Sequence, residues 1–295
     1  DPRFFNNLEK LGGKTEVFFG SKIPFVNLRM NYRNHRKIMV VDAKVAYIGG
    51  FNIGDEYLGK GELGEWRDTH MKIEGNAVLT LQSRFFMDWN AVAKEKNRKD
   101  YAEAYFPIAD KKGNTAMQIV TSGPDDEDQT IKMGFLKMIS QAKESIYIQT
   151  PYFIPDESLH EMLKIAVLSG VKVKIMIPSK PDHPFVYRAT EYFAKDIVEY
   201  GAEVYMYQNG FLHSKVMVVD DEIVSVGTAN MDVRSFKLNF EINAFIYDRD
   251  VAEELIANFD EDQKNCIRAT HDYFAKQSKW RKFKQAFSRL LSPIL

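Results

Sequence analysis

Residues 35–52 read HRKIMVVDAKVAYIGGFN, and residues 213–230 read HSKVMVVDDEIVSVGTAN. Aligned without a gap at an offset of 178, the two stretches are identical at eight of their 18 positions: His, Lys, Met, Val, Val, Asp, Gly and Asn. With average residue usage, even one chance match to the five polar and glycine positions has odds on the order of one in ten thousand. The chain is therefore a duplication, with one copy of the motif in each half.

Each copy of the motif places an imidazole beside an ammonium group. On a strand, residues two apart share a face, so His35 stands beside Lys37 and His213 beside Lys215. If the two halves pair about a pseudo-twofold axis, these faces converge on a single site. Two lysines there would neutralise phosphate oxygens, and the histidines could divide the roles of nucleophile and general acid. The duplication thus predicts a phosphate-transfer site between the halves.

The other positions that are identical in the two copies of the motif have less specific roles. Asp42 and Asp220 have the opposite parity to the histidines and open tight turns, so turn capping and a direct catalytic role are both open. Gly49 and Gly227 permit close approach of a backbone, and we predict that both contribute to substrate binding, as does Thr228. The motif ends at two asparagines whose amides could bind phosphate, Asn52 and Asn230.

Composition excludes several classes of protein. Lys plus Arg total 40 against 41 for Asp plus Glu, and this near-neutral balance argues against a nucleic-acid partner. Cys266 is the only cysteine, which excludes an internal disulfide framework and a multi-cysteine metal site. We predict no metal and no cofactor, because the lysine beside each histidine would repel a cation. No apolar run approaches the roughly 20 residues that span a bilayer.

The order of predicted elements is that of an α/β sandwich. Strand-like segments cover 145–149, 171–177, 202–207, 213–219, 222–226 and 241–247, and helical ones cover 156–169, 184–200 and parts of 250–290. This alternation predicts mixed sheets covered by helices. The polar stretch 109–114 is the expected boundary, which divides the chain into a first half, 1–112, and a second half, 113–295.

The two halves differ in length before their motifs. Only 34 residues precede His35, whereas nearly a hundred separate the expected boundary from His213. By this comparison roughly 60 residues of the first half would lie ahead of Asp1, since a sheet without its first strands would expose a long unpaired edge. We therefore expect the first half to be truncated at its N-terminus.

The repeated pattern His-x-Lys-x4-Asp-x6-Gly-x-x-Asn resembles the signature of the phospholipase D superfamily. Further stretches resemble the bacterial cardiolipin synthases of that superfamily: 66–70, 150–155, 227–236, 239–243 and 289–293. The superfamily often has Gly-Ser before the Asn, where this chain has Gly49-Gly50 and Gly227-Thr228. That departure leaves Gly50 without a hydroxyl to offer phosphate, while Thr228 keeps one.

The resemblance implies a fold of two α-β-α sandwich halves about a pseudo-twofold axis, with the active site at their interface. It also implies a phosphatidyltransferase that makes cardiolipin from two phosphatidylglycerol molecules and releases glycerol. His35 would be the nucleophile that forms a phosphohistidine, and His213 the acid and base. Phospholipid at a bacterial cell membrane is the implied partner, with the catalytic part peripheral and anchoring helices ahead of it.

The resemblance also places an acid downstream of each motif, hydrogen-bonded to a histidine. Glu241 lies 11 residues after Asn230 and begins a predicted strand. The equivalent strand of the first half covers 69–73 and is preceded by Asp68, if a five-residue insertion lies in the loop before it. We expect Asp68 to pair with His35 and Glu241 with His213.

The C-terminal segment has a different character. Residues 273–295 contain six basic residues and no acid, and aromatic and leucine side chains recur there at helical spacing. Such a helix could lie on an anionic bilayer or pack its aromatic stripe on the core, and both remain open.

Four other functions compete with cardiolipin synthesis. A phospholipase D using water or a phosphatidylserine synthase would use the same two-histidine chemistry, as would an endonuclease, against which the near-neutral charge argues. A non-catalytic phosphate-binding or membrane-binding module is the remaining alternative. The intact His, Lys and Asn of both copies argue against it.

Overall fold

The computed structural model describes residues 2–19, 31–108 and 110–292. The strands of these ranges are β1 Ile38–Val41, β2 Val45–Gly49, β3 Trp66–Arg67, β4 His70–Glu74, β5 Ala116–Ser122, β6 Ser145–Gln149, β7 Phe153–Ile154, β8 Lys172–Pro178, β9 Glu203–Tyr207, β10 Phe211–Leu212, β11 Val216–Val219, β12 Ile223–Gly227, β13 Met231–Asp232, β14 Glu241–Tyr247 and β15 Cys266–Arg268. The α-helices are α1 Asn6–Lys10, α2 Ala77–Val92, α3 Thr130–Gln141, α4 Glu157–Leu168, α5 Pro184–Tyr200, α6 Val233–Lys237, α7 Arg249–Gln263, α8 His271–Ala275 and α9 Lys279–Leu290. Four 3-10 turns complete the described elements: Pro2–Phe5, Asp55–Leu58, Glu95–Asn97 and Glu103–Tyr105.

An eight-stranded mixed sheet forms the larger layer, in the order β15-β9-β8-β6-β11-β12-β14-β5. β6, β8 and β9 are parallel, and their connections run through α4 and α5. The other pairings of this sheet are antiparallel. The predicted α/β class with mixed sheets is therefore confirmed, although β5 and β15 at its two edges were not predicted.

A three-stranded sheet, β1-β2-β4, repeats part of the larger one. Its first hairpin pairs Ile38 with Ile48, and the hairpin of the second half pairs Val216 with Val226 at the same offset of 178. We predicted that the motif histidines and lysines lie on these strands, and this is wrong. They lie in the extended segments just before β1 and β11. The duplication of the sequence is thus a duplication of structure, with the reactive residues at the strand entrances.

The two sheets share a hydrophobic core. Ile48, Ile73 and Leu81 of the first half pack in one cluster with Ile242 of β14, and all four are buried. The larger sheet is also covered by helices, among them α3, α4 and α5, whose buried side chains form the main core with β6 and β8. Burial of this continuous apolar surface fixes the relative position of the halves.

The basic C-terminal helix α9 packs with its polar face inward. Gln285 and Ser288 are buried, whereas four large apolar side chains are 48–71% exposed: Trp280, Phe283, Phe287 and Leu290. The reason is Glu191 of α5, whose side chain is fully buried and takes an ion pair from Arg281 and a hydrogen bond from Gln285 at 3.2 Å. A buried carboxylate needs such partners, and it turns the polar face of α9 toward the core. Packing of the aromatic stripe on the core, one of our two expectations, therefore holds for Phe274 of α8, which is 1% exposed, and is wrong for α9.

No helix in the described part of the chain is long and apolar enough to cross a membrane.

The motif aspartates lie at the hairpin turns, away from the histidines. Asp42 and Asp220 both have positive φ, 53° and 51°. Each lies seven positions after its motif histidine, which at about 3.3 Å per residue is a span of roughly 23 Å. The carboxylate of Asp220 accepts backbone N–H bonds from Lys143, Glu144 and Ser145 at 2.7–2.9 Å. The prediction of a catalytic role is corrected to turn formation for both residues.

We predict that Asp220→Asn lowers the free energy of unfolding by about 1–3 kcal/mol, because an amide cannot accept all three N–H bonds. Asn tolerates positive φ, so the turn itself stays unstrained. Asp42→Asn is the matched control, since the Asp42 side chain is exposed and has no hydrogen-bond partner among the described residues. Urea unfolding followed by circular dichroism measures both. Equal losses in the two variants would contradict this role of Asp220.

Candidate active site

Two short parallel bridges join the halves at equivalent places. In one, Asn34 pairs with Phe240, and the N–H of His35 donates to the Phe240 carbonyl at 2.9 Å. In the other, Leu212 pairs with Arg67, and the N–H of His213 donates to the Arg67 carbonyl at 2.7 Å. Each bridge therefore aligns the residue before a motif histidine with the residue before an acid of the opposite half.

The histidine–acid pairs consequently cross the interface. His35 Nδ1 lies 2.9 Å from both carboxylate oxygens of Glu241, and His213 Nδ1 lies 2.7 Å from Asp68 Oδ2. Our prediction of Asp68 with His35 and Glu241 with His213 is wrong, although both acids do bind an imidazole. The cause is the pair of bridges, which set each histidine beside the strand of the other half.

The equivalence of the two acids is confirmed by strand register. β2 pairs Gly49 with His70, and β12 pairs Gly227 with Asn243. The acids lie two residues before these partners, so Asp68 and Glu241 are equivalent at an offset of 173. That is five less than the offset of the motifs, as the predicted five-residue insertion requires.

Both carboxylates are buried and ionised. Burial acts to raise the pKa of Glu241, but the charges of His35 and Lys37 and a hydrogen bond from Thr228 hold it below its ordinary value. For Asp68, burial is likewise outweighed by Lys215 and by its bond with His213, which lower the pKa. An ionised carboxylate accepts the Nδ1–H of its imidazole, which leaves Nε2 for a substrate.

The two imidazoles differ in environment. The His213 side chain is 7% exposed, against 26% for His35. Burial, and then the charge of Lys215, lower the pKa of His213 to about 3. The rings of Trp66 and Phe211 lie against it, with centroids at 4.9 and 6.2 Å. His213 is therefore a neutral imidazole in the substrate-free site.

The motif lysines are held close to the histidines. Lys37 Nζ donates to the carbonyl of His35 at 2.8 Å, and Lys215 Nζ donates in the same way to the carbonyl of His213. Burial is the main cause that lowers the pKa of Lys37 to about 7 and that of Lys215 to about 8. An ammonium has three N–H donors, so each has two beyond this bond for an anion. A bound phosphate would in turn favour the charged form of both.

The motif glycines serve packing, and the asparagines are not equivalent. A Cβ at Gly49 would come within 2.4 Å of the Thr69 carbonyl oxygen, and one at Gly227 within 2.3 Å of that of Ile242. Both positions therefore admit the neighbouring strand, and the prediction that they bind substrate is corrected. Asn230 is 5% exposed and lines a cavity with His35, whereas Asn52 is exposed in a loop.

Sequence reasoning missed Tyr57, whose hydroxyl donates to Asp68 Oδ2 at 3.0 Å and lies 2.9 Å from His213 Nδ1. In the second half the corresponding donor to the acid is Thr228, whose hydroxyl reaches Glu241 Oε2 at 2.5 Å. Thr228 thus supports the acid rather than substrate, which corrects our prediction. Gly50, its counterpart, has no room for a side chain, because a Cβ there would lie 2.0 Å from Asp68 Oδ1. Two features of the sequence could have indicated Tyr57: Gly50 has no hydroxyl to donate to the acid, and the loop that follows it is longer than in the second half.

A cavity of about 400 Å³ opens beside His35, with walls from both halves that include Arg33, Tyr152, His183 and Arg234. The loop after β8, which supplies His183, is thus at the site, where α/β sheets commonly place ligand loops. Within the described ranges no group of three or more His, Cys, Asp or Glu is arranged to hold a metal ion. The arrangement offers two imidazoles on ionised acids, two ammonium groups and an adjoining polar cavity, a set suited to transferring a phosphoryl group by way of a nitrogen nucleophile.

Comparison with known proteins gives the same indication. A family profile described as "Cardiolipin synthase, PLD-like domain" matches residues 135–263. A cardiolipin synthase of Listeria welshimeri is 57% identical over 293 residues, which cover 99% of this chain and 61% of that protein. The major cardiolipin synthase ClsA of Bacillus subtilis is 55% identical over 294 residues, again 99% of this chain and 61% of that protein. The chain therefore spans less than two thirds of the length of these relatives.

A solved structure, that of a phosphatidylserine synthase of Haemophilus influenzae, matches with a TM-score of 0.65 over 89% of this chain and 71% of that chain. The sequence identity is 17%, so this likeness concerns the fold alone. The duplicated motif, the crossed histidine–acid pairs and the high identity to the bacterial relatives agree with one another. The chain is similar to bacterial cardiolipin synthases over almost its whole length, and its residues 135–263 match the profile of their PLD-like domain.

Proposed function

We propose that the protein is a phosphatidyltransferase that makes cardiolipin from two molecules of phosphatidylglycerol and releases glycerol. The observation that carries the proposal is the pair of crossed contacts, His35 with Glu241 and His213 with Asp68, beside the half-buried Lys37 and the buried Lys215. Relatives that share 55–57% of their residues with this chain are named cardiolipin synthases. Phospholipid is accordingly the proposed substrate and the bacterial membrane the proposed location.

In the first step, His35 Nε2 attacks the phosphorus of the donor lipid. The new N–P bond forms as the bond from phosphorus to the glycerol oxygen breaks, and His213 gives its proton to that oxygen. Glu241 stabilises the positive charge that develops on His35. His213 is neutral in the empty site, and the anionic phosphodiester must raise its pKa by offsetting the charge of Lys215. The products are a phosphatidyl-histidine and glycerol.

In the second step, a hydroxyl of another phosphatidylglycerol attacks the phosphohistidine. His213 takes the proton of that hydroxyl, the new P–O bond forms and the N–P bond to His35 breaks. Lys37 and Lys215 bind the non-bridging oxygens throughout, because their ammonium groups oppose the charge that grows on phosphorus. Water in place of the second lipid would give phosphatidic acid instead.

We predict that His35→Ala and His213→Ala each reduce cardiolipin formation below detection while the protein stays folded, because each removes one partner of the two-step transfer. The measurement is conversion of phosphatidylglycerol in vesicles, with cardiolipin, phosphatidic acid and free glycerol quantified together. Enzyme denatured at alkaline pH, where the N–P bond of a phosphohistidine is stable, should carry the phosphatidyl group on His35. Phosphatidic acid as the main product of the unmodified protein would contradict the transferase, and phosphate on His213 would reverse the two roles.

The crossed pairs make a second prediction, on the division of labour between the acids. Asp68→Asn weakens His213 as the acid, so turnover of phosphatidylglycerol falls by up to about 10⁴. A phosphatidyl ester of p-nitrophenol has a leaving group that needs no proton, and release of nitrophenol from it should recover in Asp68→Asn.

Glu241→Gln is the matched variant, because it weakens His35 as the nucleophile. It should slow both substrates alike, whatever the leaving group. The measurement is the burst of nitrophenol in a stopped-flow spectrometer. Recovery in Glu241→Gln instead of Asp68→Asn would mean that His213 is the nucleophile.

We also propose that the exposed apolar face of α9 lies on the membrane surface. Trp280 and Phe283 are 64% and 59% exposed and stack with an interplanar angle of 8°. Lys284 Nζ lies 5.2 Å from the Trp280 ring, and residues 273–295 contain no acid. Aromatic side chains beside lysines suit the headgroup region of an anionic bilayer.

The double variant Trp280→Ala/Phe283→Ala should lose about tenfold or more of its binding to phosphatidylglycerol vesicles, because each aromatic side chain buries apolar area there. Cosedimentation measures the binding, with phosphatidylcholine vesicles as the neutral comparison. Ile165→Ala/Leu168→Ala on α4 is the matched control, since these residues are 55% and 70% exposed on another helix. Equal losses in the two double variants would exclude a specific role of α9.

A further inference from the structure

The cavity beside His35 carries polar groups that the two histidine pairs and the lysines do not use. Arg33 and Arg234 line it, and no carboxylate of the described residues lies within ion-pair distance of either guanidinium. Among the described residues of its wall the one acid is Asp232, which is buried and already accepts bonds from the N–H of Ser235 at 2.6 Å and from Asn230 at 3.2 Å. Burial also raises the pKa of Asp232. The cavity therefore has a net positive charge that is suited to an anion.

Two amide oxygens in the same wall lack donors. Asn230 and Asn239 are 5% and 6% exposed, and the Oδ1 atom of each is buried with no hydrogen-bond partner in the described structure. The amide nitrogen of Asn230 donates a hydrogen bond to Asp232, and that of Asn239 donates one to Glu241. A buried acceptor without a donor is costly, so a ligand with O–H groups would satisfy both oxygens. Phosphate oxygens alone could not.

Free cations and free acceptors together describe one class of ligand. Guanidinium groups bind phosphate, unpaired amide oxygens bind hydroxyls, and the apolar side chains of Ile154 and Val186 in the same wall can contact carbon atoms between them. A phosphodiester of a polyol has all three kinds of group. Phosphoglycerol, the headgroup of phosphatidylglycerol, is the simplest such ligand that the proposed reaction contains.

We propose that this cavity binds the headgroup of the acceptor lipid, with Arg33 and Arg234 on its phosphate and the amide oxygens of Asn230 and Asn239 on its glycerol hydroxyls. The inference rests on the proposed function. The donor phosphate must lie between the histidines and lysines, and the glycerol that leaves it carries no second phosphate. Only the acceptor brings a phosphate that lies one glycerol unit from the reacting hydroxyl.

The test compares two acceptors for one phosphohistidine. Radiolabelled glycerol exchanged into phosphatidylglycerol reports transfer to an acceptor without phosphate, and cardiolipin formation reports transfer to an acceptor with one. We expect Arg33→Gln and Arg234→Gln to lower the ratio of cardiolipin formation to glycerol exchange by about tenfold each, since each removes a charge-assisted bond to phosphate. Arg234→Lys, which keeps the charge, should recover part of the loss.

Arg98→Gln is the matched control, because Arg98 is exposed, makes no ion pair with the described residues and lies outside the cavity wall. It should leave the ratio unchanged. Equal falls in both reactions, or no change in either, in the Arg33 and Arg234 variants would overturn the acceptor site while leaving the transferase intact. Absence of both reactions in the unmodified protein would instead refute the proposed function itself.

Discussion

The site depends on two parallel bridges between the halves, Asn34 with Phe240 and Leu212 with Arg67. Each bridge fixes a backbone hydrogen bond from a motif histidine, and the next residue of the partner strand is then an acid. A buried carboxylate without a partner would be strongly unfavourable, so the pairing also opposes any sliding of one half over the other. Geometry of the backbone and charge of the side chains thus enforce the same arrangement.

The symmetry of the pairs does not extend to the groups that hold them. Glu241 receives bonds from Thr228 and from Asn239 at 3.1 Å, whereas Asp68 receives them from Tyr57 and from the backbone N–H of Thr69. The side chain of Asp is one carbon shorter than that of Glu. Gly50, which has no side chain, allows its backbone to lie close to the shorter acid, Asp68. The two histidines therefore have different burial and different charge environments, and two chemically distinct roles become possible within a duplicated frame.

Much of the fold and of the site could be predicted because equivalent residues of the two copies are almost always the same number of positions apart. Counting along the repeat found Asp68, a residue outside the motif, and the register of β2 with β4 confirms that count. The crossed pairing could not be found in this way, since an offset states which residues are equivalent but not which half each one faces. The orientation of α9 was equally hidden, because it depends on the buried Glu191 of a helix about 90 residues earlier in the chain.

The crossed pairs have a consequence for how the halves can exist. Neither half holds a complete histidine–acid pair, so a separated half would leave both its imidazole and its carboxylate without their partners. A polypeptide consisting of one repeat could build such a site only by associating with a second copy of itself about the same axis. In a single chain that contains both copies, the residues around one histidine can be substituted without the same substitution around the other. Each histidine can therefore acquire a separate role.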